Sequence, residues 1–300
     1  MGMRLGLIKN IKSAVSNLNP DKVRINATRP VYLGLVAESE EVYVAMEDAF
    51  VPWNSAERAN GLRQIVRANQ EKAGVVPDVL VYGQGVLTPD GAYTFYPGNL
   101  KATIEAILDG RPDLELPLAR TFPVFRSFVI ERIIKRNSRE NAFFSIVTAL
   151  PDIIPSLIEL PWAVGEFASD TAFLTVNQVR MAFEIAAAFG KEVGYQHQKA
   201  EIAGILASAF GWRALARQVV GKVPFGGGLV LKGGIAYAGT YVVGRGVERL
   251  LQLGTKYTEK ERKDLFDKAY EIGRSVSQSV AASLRARKAE KTTGKGTDYA

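Results

Sequence analysis

The pattern of this chain changes near Pro123, and that change limits the folds open to it. Before it, short apolar runs alternate with helical stretches. Val31-Tyr-Leu-Gly-Leu-Val36 and Asp78-Val-Leu-Val-Tyr82 have strand composition, and Tyr93-Thr-Phe95 follows a turn at Pro89-Asp-Gly91. Between them, Glu38–Phe50, about 55–69 and Asn99–Leu108 repeat apolar residues at helical spacing. Such alternation predicts a small, largely parallel α/β sheet over residues 30–122. After Pro123 the spacing is helical throughout, which predicts an all-helical domain over 123–285 and an α+β chain overall.

Within that second domain, a helix from Phe125 to about Asn137 leads into an apolar stretch at 142–165, broken by Pro151, Pro155 and Pro161. Ser169–Gly190 reads as a long helix, and Glu201–Phe210 as another. Residues 223–244 carry a single charge, Lys232, with Ala236, Thr240 and Gly244 forming a small-residue stripe that suits close helix approach. A last helix opens at Thr258 with Glu261 in capping-box spacing, and its period places Leu265, Ala269, Ile272, Val276 and Val280 inside. The end, 286–300, reads as a disordered tail. At the other end, 1–29 form a basic arm whose residues 4–18 predict an amphipathic helix ended by Asn19-Pro20.

Composition removes several kinds of chemistry. With no cysteine and one histidine, the 300 residues hold no disulfide, thiolate metal site or cysteine nucleophile, and no histidine-rich metal centre. No metal or cofactor site and no catalytic constellation is legible. His197 lies in a polar connection, where a surface role is expected. The first residues have no apolar core of signal-peptide length and every stretch of 18 residues carries a charge. This predicts a cytoplasmic chain, at most peripheral on the inner face of a membrane.

The net charge of +7 is uneven. Basic arms flank an acidic body at 30–110, a distribution unlike the concentrated positive face of a nucleic-acid binder. It suits an anionic membrane surface or an acidic protein partner better. Arg132, Lys135, Arg136 and Arg139 share one helical face beside the apolar stretch, a candidate membrane face. Thr175, Asn177, Gln178, Arg213 and Arg217 are polar groups in otherwise apolar helical surroundings. Such groups are paired or they bind something, so they are the candidate interaction residues.

The first strand and helix stand where a phosphate-binding loop would. In that register Gly34-Leu-Val-Ala-Glu38-Ser39-Glu40-Glu41 has Glu40 at the lysine position and Glu41 at the Ser/Thr position, and carboxylates there repel a polyphosphate. No Asn-Lys-x-Asp guanine-reading motif occurs, and Gly83-Gln-Gly85 lacks the third glycine of a dinucleotide fingerprint.

Leu174-Thr-Val-Asn-Gln178, Met181, Ile185-Ala-Ala-Ala-Phe-Gly190, Trp212-Arg-Ala-Leu-Ala-Arg-Gln218, Val223-Pro-Phe-Gly226, Ala236-Tyr-Ala-Gly-Thr240 and Gly244 recur in an order that resembles a known helical domain. It is the domain of unknown function found behind Era-like GTPase domains and in YcjF-type inner-membrane proteins. The resemblance covers roughly 125–255, and Ala119–Arg126 with Asn141-Ala-Phe look like its lead-in. It implies membrane association, partnership with GTPase-type modules, and a front domain that looks like a GTPase fold without its phosphate loop. It supplies no catalytic residues. The function expected is a non-enzymatic, peripherally membrane-associated adaptor or scaffold. The alternatives are a soluble, self-associating helical oligomer and a ligand-binding regulator.

Overall fold

The computed structural model describes residue 15 and residues 18–67, 75–149, 170–205 and 228–294. The chain is α+β, mostly helical with one small parallel sheet. It divides into two compact units, one of Pro20–Ile133 with Phe183–His197, the other of Met1–Asn19, Ile134–Ala182 and Gln198–Ala300.

The sheet unit runs α1 (Asp21–Thr28), β1 (Leu33–Val36), α2 (Glu40–Phe50), α3 (Arg58–Arg63), β2 (Ile65–Arg67), β3 (Val79–Tyr82), β4 (Tyr93–Thr94), α4 (Leu100–Gly110) and α5 (Glu115–Thr121). Its strands are all parallel in the order β2-β1-β3-β4, with Leu33 opposite Ile65 and Val79, and Val81 opposite Tyr93. Strand β2 lies inside the stretch expected to be one helix over 55–69. Leu62, Ile65 and Val66 fit helical spacing, but a glycine at 61 followed by a β-branched pair favours a short helix and then a strand beside β1. The turn at Pro89 closes as expected: the Ala92 amide donates to the Pro89 carbonyl at 3.2 Å, and Gly91 takes the positive φ of 81° that such a turn requires at its third residue.

Side chains from both ends of the unit meet in its core. The Phe50 ring stacks on Phe125 and lies against Phe95, each at 6.0 Å, and all three side chains are buried. Helix α6 (Arg126–Val147) then starts within this unit. The Arg126 guanidinium donates to the Ala188 carbonyl at 2.9 Å and to Glu57 at 3.3 Å, while Phe183 meets Tyr195 edge-on at 5.3 Å. The division therefore does not fall at residue 123, because Phe125, Arg126 and residues 183–197 complete the hydrophobic and polar contacts of the sheet unit.

Glu57 gives this unit an acid-sensitive contact. Burial pushes its carboxyl up, but hydrogen bonds from Ser55 and Arg126 outweigh that and hold it below the ordinary 4.5. A carboxylate lowered in the folded state adds stability that is complete above its unfolded pKa and disappears as pH falls through the folded one. Denaturant midpoints are therefore expected to fall as pH drops below 4.5, and Arg126→Gln is expected to flatten that part of the profile.

In the helical unit, α6 continues without a break through Asn137 and Asn141 and is joined by α7 (Asp170–Ala188), a short helix at 199–205, α8 (Gly228–Leu253) and α9 (Glu259–Gly294). Helices α8 and α9 form a hairpin turned by Gly254 at φ 68°. The expected capping box is present: the Thr258 amide donates to Glu261 at 2.7 Å, and the Glu261 amide donates to the Thr258 hydroxyl at 3.2 Å. The face of α9 differs from the expected one. Phe266, Ala269, Gly273, Ser277 and Ala281 are buried, whereas Ile272 is 48% exposed. The hairpin closes on small residues. A Cβ at Gly273 would lie 2.6 Å from Tyr237 Cβ and 2.9 Å from the Gly234 carbonyl oxygen.

The tail expectation is also corrected, since α9 runs to Gly294. Ala286, Arg287, Lys288, Ala289, Glu290 and Lys291 are good helix formers, and they extend the helix past the proposed start of disorder. The basic amphipathic helix over 4–18 lies outside the described residues except at Val15, which is helical and buried, and Leu18.

Candidate functional site

Among the described residues, two places concentrate polar chemistry. The first is the carboxyl edge of the sheet. After β1 the chain moves to β2 on one side, then returns across β1 to β3 on the other. The crevice at such a reversal is where open α/β sheets take ligands. Here the end of β1 meets the start of the loop after β3, with the Gly83 amide donating to the Val36 carbonyl at 2.8 Å. Ser39 caps α2, its hydroxyl accepting from the Val42 amide at 3.3 Å, and Glu40 and Glu41 fill the first turn.

The start of α2 is thus supplied with negative charge by its own residues. Glu40 accepts from Arg67 at 2.6 Å, and Arg67 binds both oxygens of Glu47 at 2.7 and 2.8 Å while lying 5.2 Å over the Tyr43 ring. The hydrogen bond to Glu47, then that to Glu40, pushes the Arg67 guanidinium above its ordinary range, so it stays charged. The Arg67 cation is therefore held by two carboxylates of the chain itself. Glu40 and Glu41 in this first turn repel a phosphate.

The second place is a buried ladder of polar side chains joining α6, α7 and α8. The Asn141 amide donates to the Thr240 hydroxyl at 2.7 Å, and Gln178 donates to the same hydroxyl at 3.3 Å. Asn177 donates to Asn141 at 2.8 Å. Arg180 closes the outer end, its Nη2 lying 2.6 Å from Asn177 Oδ1, 2.6 Å from Glu140 and 3.1 Å from Asn137 Oδ1. Asn137, Asn141, Asn177, Gln178 and Thr240 are all buried. Apart from the Arg180–Asn177 contact inside α7, the rungs cross between helices, so the ladder ties one helical register to the next.

Of the interaction residues expected from sequence, Asn177 and Gln178 belong to this ladder. Thr175 does not: its hydroxyl donates to the Thr171 carbonyl of its own helix at 2.7 Å. Arg213 and Arg217 lie outside the described residues. Sequence reasoning missed Asn137, Glu140, Asn141 and Arg180 as partners. The available signal was a pair of amides in α6, Asn137 and Asn141, hidden because Arg136 and Arg139 made that segment read as a basic membrane face.

The expected membrane face is divided. Arg132 is half-buried, bound to Asp109 and lying 3.8 Å from Glu115. Lys135, Arg136 and Arg139 are exposed. The described parts of the apolar stretches 142–165 and 223–244 supply the core of the helical unit, where Phe144 stacks on Phe173 at 3.8 Å and Gly244 meets Ile134 and Met181. Among the described residues no helix is long and apolar enough to cross a membrane, and no group of acidic or histidine side chains is arranged to hold a metal ion. His197 is exposed and lies 3.2 Å from Glu192. Set against models of protein families, curated proteins and solved structures, the chain has no match in any of the three.

Proposed function

We propose that this chain is a non-enzymatic adaptor, peripherally associated with an anionic membrane surface, whose sheet unit is a degenerate GTPase-like interaction module. The observation that carries the reading is the start of α2. Ser39 caps the helix from within, and the Arg67 guanidinium is committed to Glu40 and Glu47. A switch point arranged this way favours protein contact over phosphate binding. The exposed Lys135, Arg136 and Arg139 support the membrane part. At about 1 kcal/mol for each basic residue near an anionic leaflet, they give weak attraction that the basic segment 4–18 would reinforce. A GTPase-type module remains the partner that the sequence resemblance implies.

The internal pairing of Thr175, Asn177 and Gln178 weighs against the ligand-binding alternative. The burial of the α8 small residues inside the chain weighs against a self-associating hairpin.

Titration of fluorescent GTP or ATP with magnesium is expected to give no saturable binding at high micromolar protein. A micromolar dissociation constant would remove the degenerate-module reading. Flotation is expected to carry the protein with anionic vesicles at low salt and to release it at high salt, with Lys135→Glu combined with Arg139→Glu weakening the association. Protein that stays at the bottom with anionic lipid at low salt removes the membrane reading.

A further inference from the structure

We propose that Arg180 couples the outer face of α6 to the buried amide ladder, so that an anionic lipid surface meeting that face draws the guanidinium outward and loosens the contacts among α6, α7 and α8. This rests on the membrane reading above. One terminal nitrogen of a guanidinium carries two protons. Arg180 Nη2 has three acceptors in reach: Glu140 Oε2 at 2.6 Å, Asn177 Oδ1 at 2.6 Å and Asn137 Oδ1 at 3.1 Å. The outer carboxylate and the inner amides therefore compete for the same donor. Their exposures differ, the Glu140 side chain being 33% accessible while Asn137 is fully buried.

Glu140 thus stands as an internal anion at the surface end of the ladder, on the same helix as the exposed Arg136 and Arg139. An anionic surface attracts Arg180 and repels Glu140. When Arg180 turns outward, Asn177 and Asn137 lose a charged donor in a place water does not reach, and the strain passes through Asn141 to Thr240 on α8. The basic face is then a sensor as well as an attachment point.

Hydrogen exchange of the full chain, followed at residues 137–147, 170–182 and 233–247, tests this. Glu140→Gln, measured without lipid, is expected to slow exchange there by about threefold, because the inner amides gain a larger share of Arg180. Faster exchange in that variant is the behaviour of an ordinary ion pair and overturns the proposal. Vesicles of phosphatidylcholine with phosphatidylserine are expected to speed exchange about tenfold, the loss of one bond to a charged group, while phosphatidylcholine alone leaves it unchanged. In Arg180→Gln exchange is expected to be fast at the outset and insensitive to lipid. Anionic vesicles that float the protein without changing its exchange overturn the coupling and leave the membrane reading standing. Anionic vesicles that do not float it overturn both.

Discussion

Replacing Gly273 with valine is expected to destabilise the helical unit by about 3 kcal/mol, the upper range for forcing extra volume into a packed core. The added Cβ alone would stand 2.6 Å from Tyr237 Cβ and 2.9 Å from the Gly234 carbonyl oxygen. One of these is backbone and the other belongs to a side chain only 1% exposed, so neither can move aside without separating α8 from α9. Gly273→Ala should also lose stability, even though alanine is the better helix former by about 1 kcal/mol. Gly246 provides the control. It also lies in a helix, but a Cβ there meets nothing within 4 Å, so Gly246→Ala is expected to gain about 1 kcal/mol. Chemical denaturation of the three variants checks the set. A neutral Gly273→Val would mean that the hairpin is not closely packed at this position.

Phe125→Ala carries the other large expected effect, a loss of about 3–5 kcal/mol from the sheet unit. The ring is fully buried, stacked on Phe50 at 6.0 Å and tilted against Phe122 at 6.3 Å. Domain stabilities lie near 5–15 kcal/mol, so the variant approaches unfolding. The same contacts predict that a fragment ending at residue 122 lacks a cooperative transition, whereas one retaining Phe125, Arg126 and residues 183–197 has it. A cost below about 1 kcal/mol for Phe125→Ala, against the usual range for a buried aromatic, would place the boundary back at the prolines.

The sheet was largely readable where local chemistry and global fold agree. The apolar runs ending at Val36 and Tyr82 became β1 and β3, and Thr258 with Glu261 marked the start of α9. Strand β2 was not readable by period, because Ile65 and Val66 satisfy helical and strand spacing alike and only pairing with Leu33 and Gly34 decides between them. Helix α9 misled for another reason. Counting bulky apolar residues selects Ile272, yet contact with α8 is governed by how closely two backbones approach. The small residues Ala269, Gly273 and Ser277 set that face.

The polar ladder was half legible. Asn177 and Gln178 stand out as amides in an apolar helix, and Thr240 was noticed for its size alone. Arg180 and Glu140 were not singled out, because their role depends on contacts 40 residues apart in sequence. Pairing of this kind is invisible until two helices are placed side by side.

Strand β4 sets a limit on how the sheet unit can be recognised. It contains two residues, paired to β3 only at Val81–Tyr93 and Tyr82–Thr94, and it forms that edge of the sheet. An incoming strand from another protein needs a run of free amides and carbonyls to grip, and this edge is too brief to supply one. Fibre growth by edge-to-edge stacking is blocked on that side by the same shortness. Any protein that docks on this side must therefore read side chains on loops and helix faces, which makes the contact sensitive to single substitutions rather than to backbone shape.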